Sequence, residues 1–390
     1  MKKAAVILLV CLLLTGCTDS TPVESPKGQD AQNQFMFFPA SFQETEDFYL
    51  GSNMIGNYLH YYDKATGISG VLCADPSCGH DNSNCGAYME DGPTVSVWDG
   101  KLYWVAPEGD SRDKYLWRSD LSGMNREKLK ILSFEDFIIK YQPQRYVVHR
   151  GMLYALGDAN TVTGTEISSW VTLVATPLDD SQEFTVLHEE SFDQGINSTV
   201  RFVGDYAYIS QVTFPLDRII LDVTIEKINL ITGEAETIYA EEGLSESLGA
   251  LWVTPEGELY LPGADEEFGY LWRLEEGSRV EVARWQSDGL AIPKIMDGIA
   301  IYLTWPDQVR YIDIVDLNGE PVYSGKLYPE GVSGLPGDPD AYSFGIVGGD
   351  RDKLILNLQD HGDITYPQDY TVLIDLNNNM EATILWSTAD

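Results

Sequence analysis

The segment DGKLYWV, residues 99–105, consists of a two-residue turn followed by a run of apolar and aromatic side chains. The same order recurs five more times, as RGMLYAL around Tyr154, GDYAYIS around Tyr208, EGELYLP around Tyr260, DGIAIYL around Tyr302 and RDKLILNL around Leu356. Counted from Tyr103, the successive intervals are 51, 54, 52, 42 and 54 residues. Spacing this even indicates a structural repeat of about fifty residues.

A second repeated piece accompanies the first: two runs of alternating apolar and polar side chains, joined by a turn rich in Asp, Asn and Gly. It occurs as YLHYYDKATGISGVL, YLWRSDLSGMNREKL, VTLVATPLDDSQEFTVL, IEKINLITGEAETIY, YLWRLEEGSRVEVAR, YIDIVDLNGEPVYSG and YTVLIDLNNNMEATIL. Alternation at period two around such turns is typical of β-hairpins. Lys64 and Leu376 hold equivalent places in the first and last copies, so seven units repeat with a mean of 52 residues.

Seven units with four strand-sized segments each predict an all-β fold, a seven-bladed β-propeller with four antiparallel strands per blade over residues 34–390. The segment SFEDFIIKY, residues 133–141, is the one helical turn that the pattern predicts, and it lies between two units. The apolar segment QFMFF, residues 34–38, is a candidate for an outer strand of the last blade that would close the ring. The tyrosines and tryptophans of the strand motifs are expected to pack between neighbouring blades.

The N-terminal stretch MKKAAVILLVCLLLTGC has two lysines, an apolar core at residues 4–14 and small residues before Cys17. Because this core is too short to cross a bilayer, the stretch predicts a secretory signal peptide over residues 1–16. Its LTGC ending resembles the bacterial lipobox, which implies cleavage before Cys17 and a diacylglycerol, with acyl chains such as palmitate, on the Cys17 thiol. Residues 17–33 are polar and include two prolines, and they are predicted as a flexible tether. The expected location is the extracytoplasmic face of the bacterial cell membrane, with the lipid membrane as partner through Cys17.

The charge of the chain limits its partners. There are 25 basic and 61 acidic side chains, a formal net charge of −36. A nucleic-acid partner is excluded, because phosphate binding needs a basic footprint. Close contact with an anionic lipid surface is also disfavoured. A solvated acidic surface that keeps an exported protein soluble is the favoured interpretation over a Ca²⁺-binding or cation-binding surface.

The loop CADPSCGHDNSNC, residues 73–85, gathers Cys73, Cys78, His80 and Cys85. Three interpretations remain open. As a metal site, three thiolates and one imidazole would form a closed tetrahedral set for a structural zinc ion. As a disulfide site, an oxidising envelope would favour one bridge among Cys73, Cys78 and Cys85 and leave one thiol over. As an enzyme site, one thiol would be the nucleophile with His80 as its base, which the two-residue spacing of Cys78 and His80 does not favour.

Two stretches carry a resemblance to a known group of proteins. The run LHYYDKATGISGVLCADPSCGHDNSNCGAY, residues 59–88, resembles the first blade of uncharacterised Gram-positive-type lipoproteins, in which a cysteine-and-histidine loop lies between the first two blades of a β-propeller. LWRSDLSGMNREKL, residues 116–129, is similar to the repeat of propeller domains of unknown function in that group. The resemblance implies a fold and a location and brings no established activity.

Propellers include both enzymes and binding modules, so the fold does not decide the function. SDLSGMNRE lacks the spacing and the Trp of a sialidase-type box, and NLITGEAETIY has Tyr239 where quinone-cofactor propellers carry Trp. The first hypothesis is therefore a membrane-anchored binding or scaffold module for a protein or glycan ligand, without catalysis. The alternative is a carbohydrate-active hydrolase or lyase that uses carboxylates at the channel mouth, one of them with a raised pKa. No cofactor besides the structural zinc is predicted.

Overall fold

The computed structural model describes residues 42–388 with gaps at 53–56, 84, 90–93, 110, 164–165, 182, 215–219, 276, 288–290 and 361–367. Within these residues the chain forms seven separate antiparallel sheets, and each is built from strands that are consecutive in the sequence. This is the seven-bladed β-propeller that the repeat predicts, with one sheet per blade. The predicted signal peptide, Cys17, the tether and the segment at residues 34–38 lie outside the described residues.

The first three blades hold twelve strands. Blade 1 contains β1 (Phe42–Glu44), β2 (Phe48–Ser52), β3 (Leu59–Asp63) and β4 (Ser69–Val71). Blade 2 contains β5 (Ser96–Trp98), β6 (Lys101–Pro107), β7 (Lys114–Asp120) and β8 (Glu127–Leu132). Blade 3 contains β9 (Pro143–His149), β10 (Met152–Thr163), β11 (Glu166–Pro177) and β12 (Thr185–Phe192).

The remaining blades follow the same order. Blade 4 contains β13 (Gly195–Val203), β14 (Tyr206–Phe214), β15 (Leu221–Asn229) and β16 (Ala235–Leu244). Blade 5 contains β17 (Ser247–Leu248) and β18 (Trp252–Val253), which both pair with β19 (Leu259–Ala264), and then β20 (Phe268–Glu275) and β21 (Ser278–Gln286). Blade 6 contains β22 (Lys294–Met296), β23 (Ile299–Thr304), β24 (Tyr311–Asp316) and β25 (Pro321–Lys326). Blade 7 contains β26 (Ser343–Gly349), β27 (Lys353–Asp360), β28 (Gln368–Asp375) and β29 (Glu381–Ser387).

The first strand of each blade is the innermost. β5 of blade 2 contacts β9 of blade 3, and β13 of blade 4 contacts β18 of blade 5. The repeated turn-and-aromatic segments form the first turn and the second strand of blades 2 to 7. In blade 2 this turn places Asp99 at φ +47° and Gly100 at φ +67°, the backbone of a tight hairpin turn that glycine adopts at little cost.

The core consists of layers between neighbouring blades. Leu173 of blade 3 packs with Phe202 and Ile209 of blade 4, all of them fully buried. Trp285 of blade 5 stacks on Tyr302 of blade 6 with ring centroids 5.4 Å apart. Aromatic side chains therefore pack between blades, as predicted, and each fully buried apolar side chain contributes about 1.5–3 kcal/mol of transfer free energy.

The ring closes where blade 7 meets blade 1. Phe42 and Tyr49 of blade 1 pack with Ile355, Leu385 and Trp386 of blade 7. The Trp386 ring stacks on Phe42 at 6.5 Å. Among the described residues, blade 7 contains only strands from its own end of the chain, so side-chain packing joins the two blades there.

Helical structure is confined to short turns. A π-helical turn, Phe134–Ile139, lies between β8 and β9, in the segment predicted to be helical. Ser133 Oγ accepts a hydrogen bond from the Asp136 N–H at 3.2 Å, and Phe137 is buried beneath the turn. Of two 3₁₀ turns, Pro306–Gln308 connects β23 and β24 within blade 6, and Pro339–Ala341 lies between blades 6 and 7. In the part of the chain that the structure describes, no helix is long and apolar enough to cross a membrane.

Candidate functional site

A pocket of about 280 Å³ opens on the inner strands of blades 4 to 7. We call it the channel pocket, because first strands of four successive blades contribute to its wall. Its lining is formed by Asn197, Thr199, Arg201, Ser210, Val212, Leu248, Gly249, Ala250, Pro262, Ile292, Pro293, Lys294, Ile295, Met296 and Ile346. The lining combines hydrogen-bonding side chains and two basic residues with apolar side chains.

The two cations hold equivalent positions on different blades. Arg201 pairs with Tyr208 in the ladder between β13 and β14, and Lys294 pairs with Ile301 in the ladder between β22 and β23. Each stands five residues before the first residue of the second strand, so the blade geometry brings both to the same level of the channel. In a chain of net charge −36, this is a local concentration of positive charge.

Both cations are partly withdrawn from water. Arg201 is buried, and its Nε donates to the Leu251 carbonyl at 2.6 Å. Burial and the nearby charge of Arg145 lower the pKa of Arg201 to about 10. Burial also lowers the pKa of Lys294. Because burial disfavours the charged form of both groups, an anionic group placed beside them would be favourable.

The cysteine loop lies between β4 of blade 1 and β5 of blade 2, where the sequence predicts it. One ligand atom from each of Cys73, Cys78, His80 and Cys85 lies within 4.8 Å of the others. His80 Nδ1 is 3.3 Å from Cys85 Sγ. In a tetrahedral zinc site with Zn–S bonds of about 2.3 Å, the sulfurs are about 3.8 Å apart, so the cluster has the dimensions of a Cys₃His site.

The loop backbone brings the four side chains together through tight turns. The Cys78 N–H donates to the Asp75 carbonyl and the Cys85 N–H to the Asn82 carbonyl, each at 3.1 Å. His80 adopts φ +52°, a left-handed conformation that non-glycine residues take at a cost. A single disulfide requires two of the thiols and does not require this position of the imidazole.

The thiols differ in their ionisation. Burial, together with Cys78 and Cys73, raises the pKa of Cys85 to about 12. Burial also raises the pKa of Cys73, but hydrogen bonds from the Asp75 and Gly86 N–H groups and from the other thiols outweigh it, and the net pKa is lowered. Cys85, the thiol nearest His80, is only 1% exposed. A nucleophilic thiol is accessible and has a lowered pKa, and Cys85 has neither property.

A side chain of blade 2, Arg126, contacts the end of the cysteine loop. Arg126 Nη1 donates to the carbonyls of Gly86 at 3.1 Å and Tyr88 at 2.9 Å. Its guanidinium also lies over the rings of Trp104 at 5.2 Å and Trp117 at 4.4 Å. The end of the loop is thus held by one cation that is itself packed on two aromatic rings.

A second pocket, of about 260 Å³, lies on the side of the ring where the first turns of the blades meet, and it includes Glu256, Asp297 and Asp316. Partial burial and the charge of Asp350 raise the pKa of Asp297, a property that the carbohydrate hypothesis calls for. Asp316, however, is occupied: it pairs with Arg351 at 3.1 Å and accepts the backbone N–H groups of its own turn. It is a turn residue and not a free acid.

Sequence reasoning found the cysteine loop and missed the channel pocket. Two of the inner strands are short, with three residues in β22 and two in β18, so these two leave no alternation that could be recognised. The usable signal was a basic residue at the same distance before two of the repeated turns, Arg201 and Lys294, in a chain with few basic residues.

Comparison with known proteins gives structural neighbours only. No family model matches the chain, and no curated protein matches it. It is similar to two prolyl endopeptidases analysed for the role of inter-domain dynamics in catalysis and specificity, with a TM-score of 0.54 and 12% identity over 92% of this chain and 50% of that chain. It is similar to a puromycin hydrolase variant complexed with PGG, with a TM-score of 0.53 and 12% identity over 93% of this chain and 55% of that chain.

A third neighbour is a propeller by itself. The β-propeller domain of the Trilobed protease from Pyrococcus furiosus, which has an open velcro topology, gives a TM-score of 0.51 and 12% identity over 90% of this chain and 99% of that chain. Our chain therefore spans about half the length of the first two neighbours and nearly the whole of the third. At this identity the likeness shows the propeller fold.

These neighbours overturn the functional expectation drawn from the sequence. The prediction was a binding or scaffold module without catalysis, with a carbohydrate-active enzyme as the alternative. It is wrong, because the solved chains that share this fold include those of a prolyl endopeptidase and a puromycin hydrolase. The sequence contains no motif that distinguishes a peptidase-related propeller, since the shared feature is the arrangement of the blades.

Proposed function

We propose that this protein is a peptidase-related propeller that takes part in peptide hydrolysis, with the channel pocket as the site that receives the peptide. The observation that carries the proposal is a pair of cations, Arg201 and Lys294, in the channel of a strongly acidic propeller. The likeness to prolyl endopeptidases and a puromycin hydrolase supports peptides as the substrate class.

The chemistry of the pocket matches a short peptide with a free carboxylate. Lys294 and Arg201 offer positive charge to the carboxylate. Asn197, Thr199 and Ser210 offer hydrogen bonds to peptide amides and carbonyls. The apolar part of the lining accepts a side chain, and such a mixture of apolar lining with few polar groups is usual for small-ligand pockets.

The test is binding of a fluorescently labelled hexapeptide to the full chain, measured by anisotropy with the C-terminus free or amidated. We expect the free acid to bind at least about tenfold more tightly than the amide, since a charge-assisted pair in a partly buried site is stronger than a neutral hydrogen bond. Lys294→Met should abolish this preference. The matched control is Lys326→Met, which removes a lysine from β25, the outermost strand of the same blade.

The channel pocket is not the peptide site if the free acid and the amide bind with equal affinity. The same holds if Lys294→Met and Lys326→Met bind the peptides equally. Mass spectrometry of the same samples detects peptide fragments. Cleavage that falls with Lys294→Met assigns the hydrolytic step to this chain.

We further propose that Cys73, Cys78, His80 and Cys85 bind one structural zinc ion. The convergence of four ligand atoms within 4.8 Å supports it, as does the donor set of three sulfurs and one nitrogen, which suits Zn²⁺ in a closed tetrahedral site. With no open coordination position, the ion would secure the loop between blades 1 and 2 and would not activate water. Metal content per chain tests this assignment.

For the location, we propose a lipid-anchored protein on the extracytoplasmic face of the cell membrane, with the lipid on Cys17. The lipobox-like LTGC and the polar stretch at residues 17–33 support the proposal. Release of the chain from the membrane fraction by substitution of Cys17 tests it.

A further inference from the structure

A cluster of four polar side chains lies at the seam between blades 3 and 4. His188 and Glu190 are two residues apart on β12, the outer strand of blade 3, so they point to the same side of the sheet. Gln211 of β14 and Glu226 of β15 reach the same place from blade 4. We call these four residues the seam cluster.

The seam cluster is compact. His188 Nδ1 is 3.1 Å from Glu226 Oε2, and His188 Nε2 is 3.8 Å from Glu190 Oε2. Gln211 Nε2 is 3.1 Å from His188 Nε2 and 3.2 Å from Glu190 Oε2. One ligand atom from each of His188, Glu190 and Glu226 lies within 4.8 Å of the other two, close enough to share one metal ion.

Two oxygens of the cluster are buried without a hydrogen bond. Gln211 is 1% exposed, yet its Oε1 has no hydrogen-bond partner. Glu226 Oε2 accepts no hydrogen bond either, although it faces the imidazole. Buried oxygens without a hydrogen bond are rare, because an oxygen that loses its hydrogen bonds to water on burial and gains no new partner destabilises the fold. Gln211 directs its Nε2 toward His188 and Glu190, whereas Glu226 Oε2 faces the imidazole, so a cation bound there would satisfy the Glu226 oxygen.

The charges also call for a cation. The described charged groups that act on Glu226 are His188 and Glu190, with no lysine or arginine among them. The two carboxylates bring two negative charges to the cluster, which one divalent ion cancels. Glu190 lies at the rim, with 42% of its side chain exposed, so an ion can enter from solvent.

We propose that His188, Glu190 and Glu226 bind one divalent cation of the Mn²⁺ and Zn²⁺ class, with Gln211 orienting the site from beneath. Two carboxylates and one imidazole suit these ions, whereas Ca²⁺ takes six to eight oxygen ligands. The ion links β12, the outer strand of blade 3, to β15 of blade 4, and it adds to the apolar packing and the hydrogen bonds that already join these two blades.

The experiment titrates the full chain with Mn²⁺ at about 0.15 M salt, where exposed charges are largely screened, and follows free Mn²⁺ by electron paramagnetic resonance. Mn²⁺ prefers oxygen and nitrogen donors and so discriminates against the cysteine loop. We expect one saturable site per chain. Glu226→Gln and Glu190→Gln should each weaken it by at least about tenfold.

The matched control is Glu189→Gln. Glu189 lies between His188 and Glu190 on β12, is exposed, and points to the other side of the strand. Its substitution therefore makes the same change of charge without removing a proposed ligand. Its variant should bind Mn²⁺ as the wild type does. Mn²⁺ should also raise the thermal midpoint of the wild type and of Glu189→Gln, and leave that of Glu226→Gln unchanged.

Absence of a site that saturates at one Mn²⁺ per chain overturns the proposal. Equal Mn²⁺ affinity of Glu226→Gln, Glu190→Gln and Glu189→Gln overturns it too, and would leave His188 as a structural side chain that bridges the two blades. If Glu226→Gln fails to fold, the Mn²⁺ affinity of Glu190→Gln, a variant at the exposed rim, is compared with that of Glu189→Gln, and this comparison decides the test.

Discussion

Cys85 is the most enclosed of the four side chains in the cysteine loop, and the loop turns around it. It is 1% exposed, and the Tyr88 N–H donates to its carbonyl at 3.0 Å. Leu59 N–H donates to the Ala87 carbonyl at 3.0 Å, which ties the end of the loop to blade 1. A metal bound by Cys85 would therefore hold both the loop and β3 of blade 1. Its binding free energy would contribute to the free energy of folding.

Substitution Cys85→Ser is expected to remove zinc from the chain and to lower its thermal midpoint, because a structural ion that binds only the folded state stabilises it. Mass spectrometry of metal content should give one zinc per wild-type chain, released as the pH falls and the ligands take up protons. Ser83→Ala, an exposed position in the same loop, should keep the zinc. A chain without metal and with one titratable thiol would instead establish a disulfide.

At the scale of the elements, the described strands form blades that pack face against face, and none of these strands is shared between two sheets. The last seam shows this most clearly, because the described strands of blade 1 and blade 7 belong to separate sheets. Trp386 of β29 lies against Phe42 of β1 at 6.5 Å and against His60 of β3 at 6.1 Å. One buried indole thus contacts two strands of the neighbouring blade, and the closure of the ring depends on it.

Trp386→Ala is expected to reduce the free energy of unfolding by about 3–5 kcal/mol, the usual cost of removing a large buried aromatic side chain. Urea denaturation measures it, provided that the transition remains two-state. Trp305→Ala serves as the control, since Trp305 is 47% exposed, and it should cost less than about 1 kcal/mol. Equal losses for the two variants would contradict the assigned role of the last seam.

For the whole molecule, charge and anchoring act together. A net charge of −36 keeps the propeller from lying on an anionic lipid surface. Attachment to the membrane then requires a hydrophobic anchor, and one acyl chain alone holds only marginally. The diacylglycerol proposed on Cys17 would supply two chains, and the predicted tether at residues 17–33 would keep the propeller away from the surface.

Cys17→Ser is expected to move the protein from the membrane fraction to the soluble fraction, and intact-mass measurement should show loss of the lipid. Cys11→Ser is the control. Cys11 lies within the predicted signal peptide, so this variant should remain lipidated and bound to the membrane. Membrane retention of Cys17→Ser at the wild-type level would contradict lipid anchoring through this residue.

The repeat unit was predictable because its signals are local. A turn before Tyr103 or Tyr154 and alternation at period two along a hairpin are properties of adjacent residues, and they survive in the fold as second strands and outer hairpins. The cysteine loop was predictable for the same reason, since all four candidate ligands lie within thirteen residues. The binding or scaffold function was predicted wrongly, because no local signal in the sequence marks the likeness of the whole propeller to solved peptidase structures.

By itself the sequence determined the all-β class, the seven units, the acidic composition and which four side chains of the loop are candidate metal ligands. Only the tertiary structure decided which distant residues meet. Arg201 and Lys294 line one pocket because the first strands of the blades surround a common axis. His188 of blade 3 contacts Glu226 of blade 4 because the sheets of neighbouring blades pack against each other. Periodicity specifies which side of a strand a residue faces, whereas radial packing of the blades specifies what it faces.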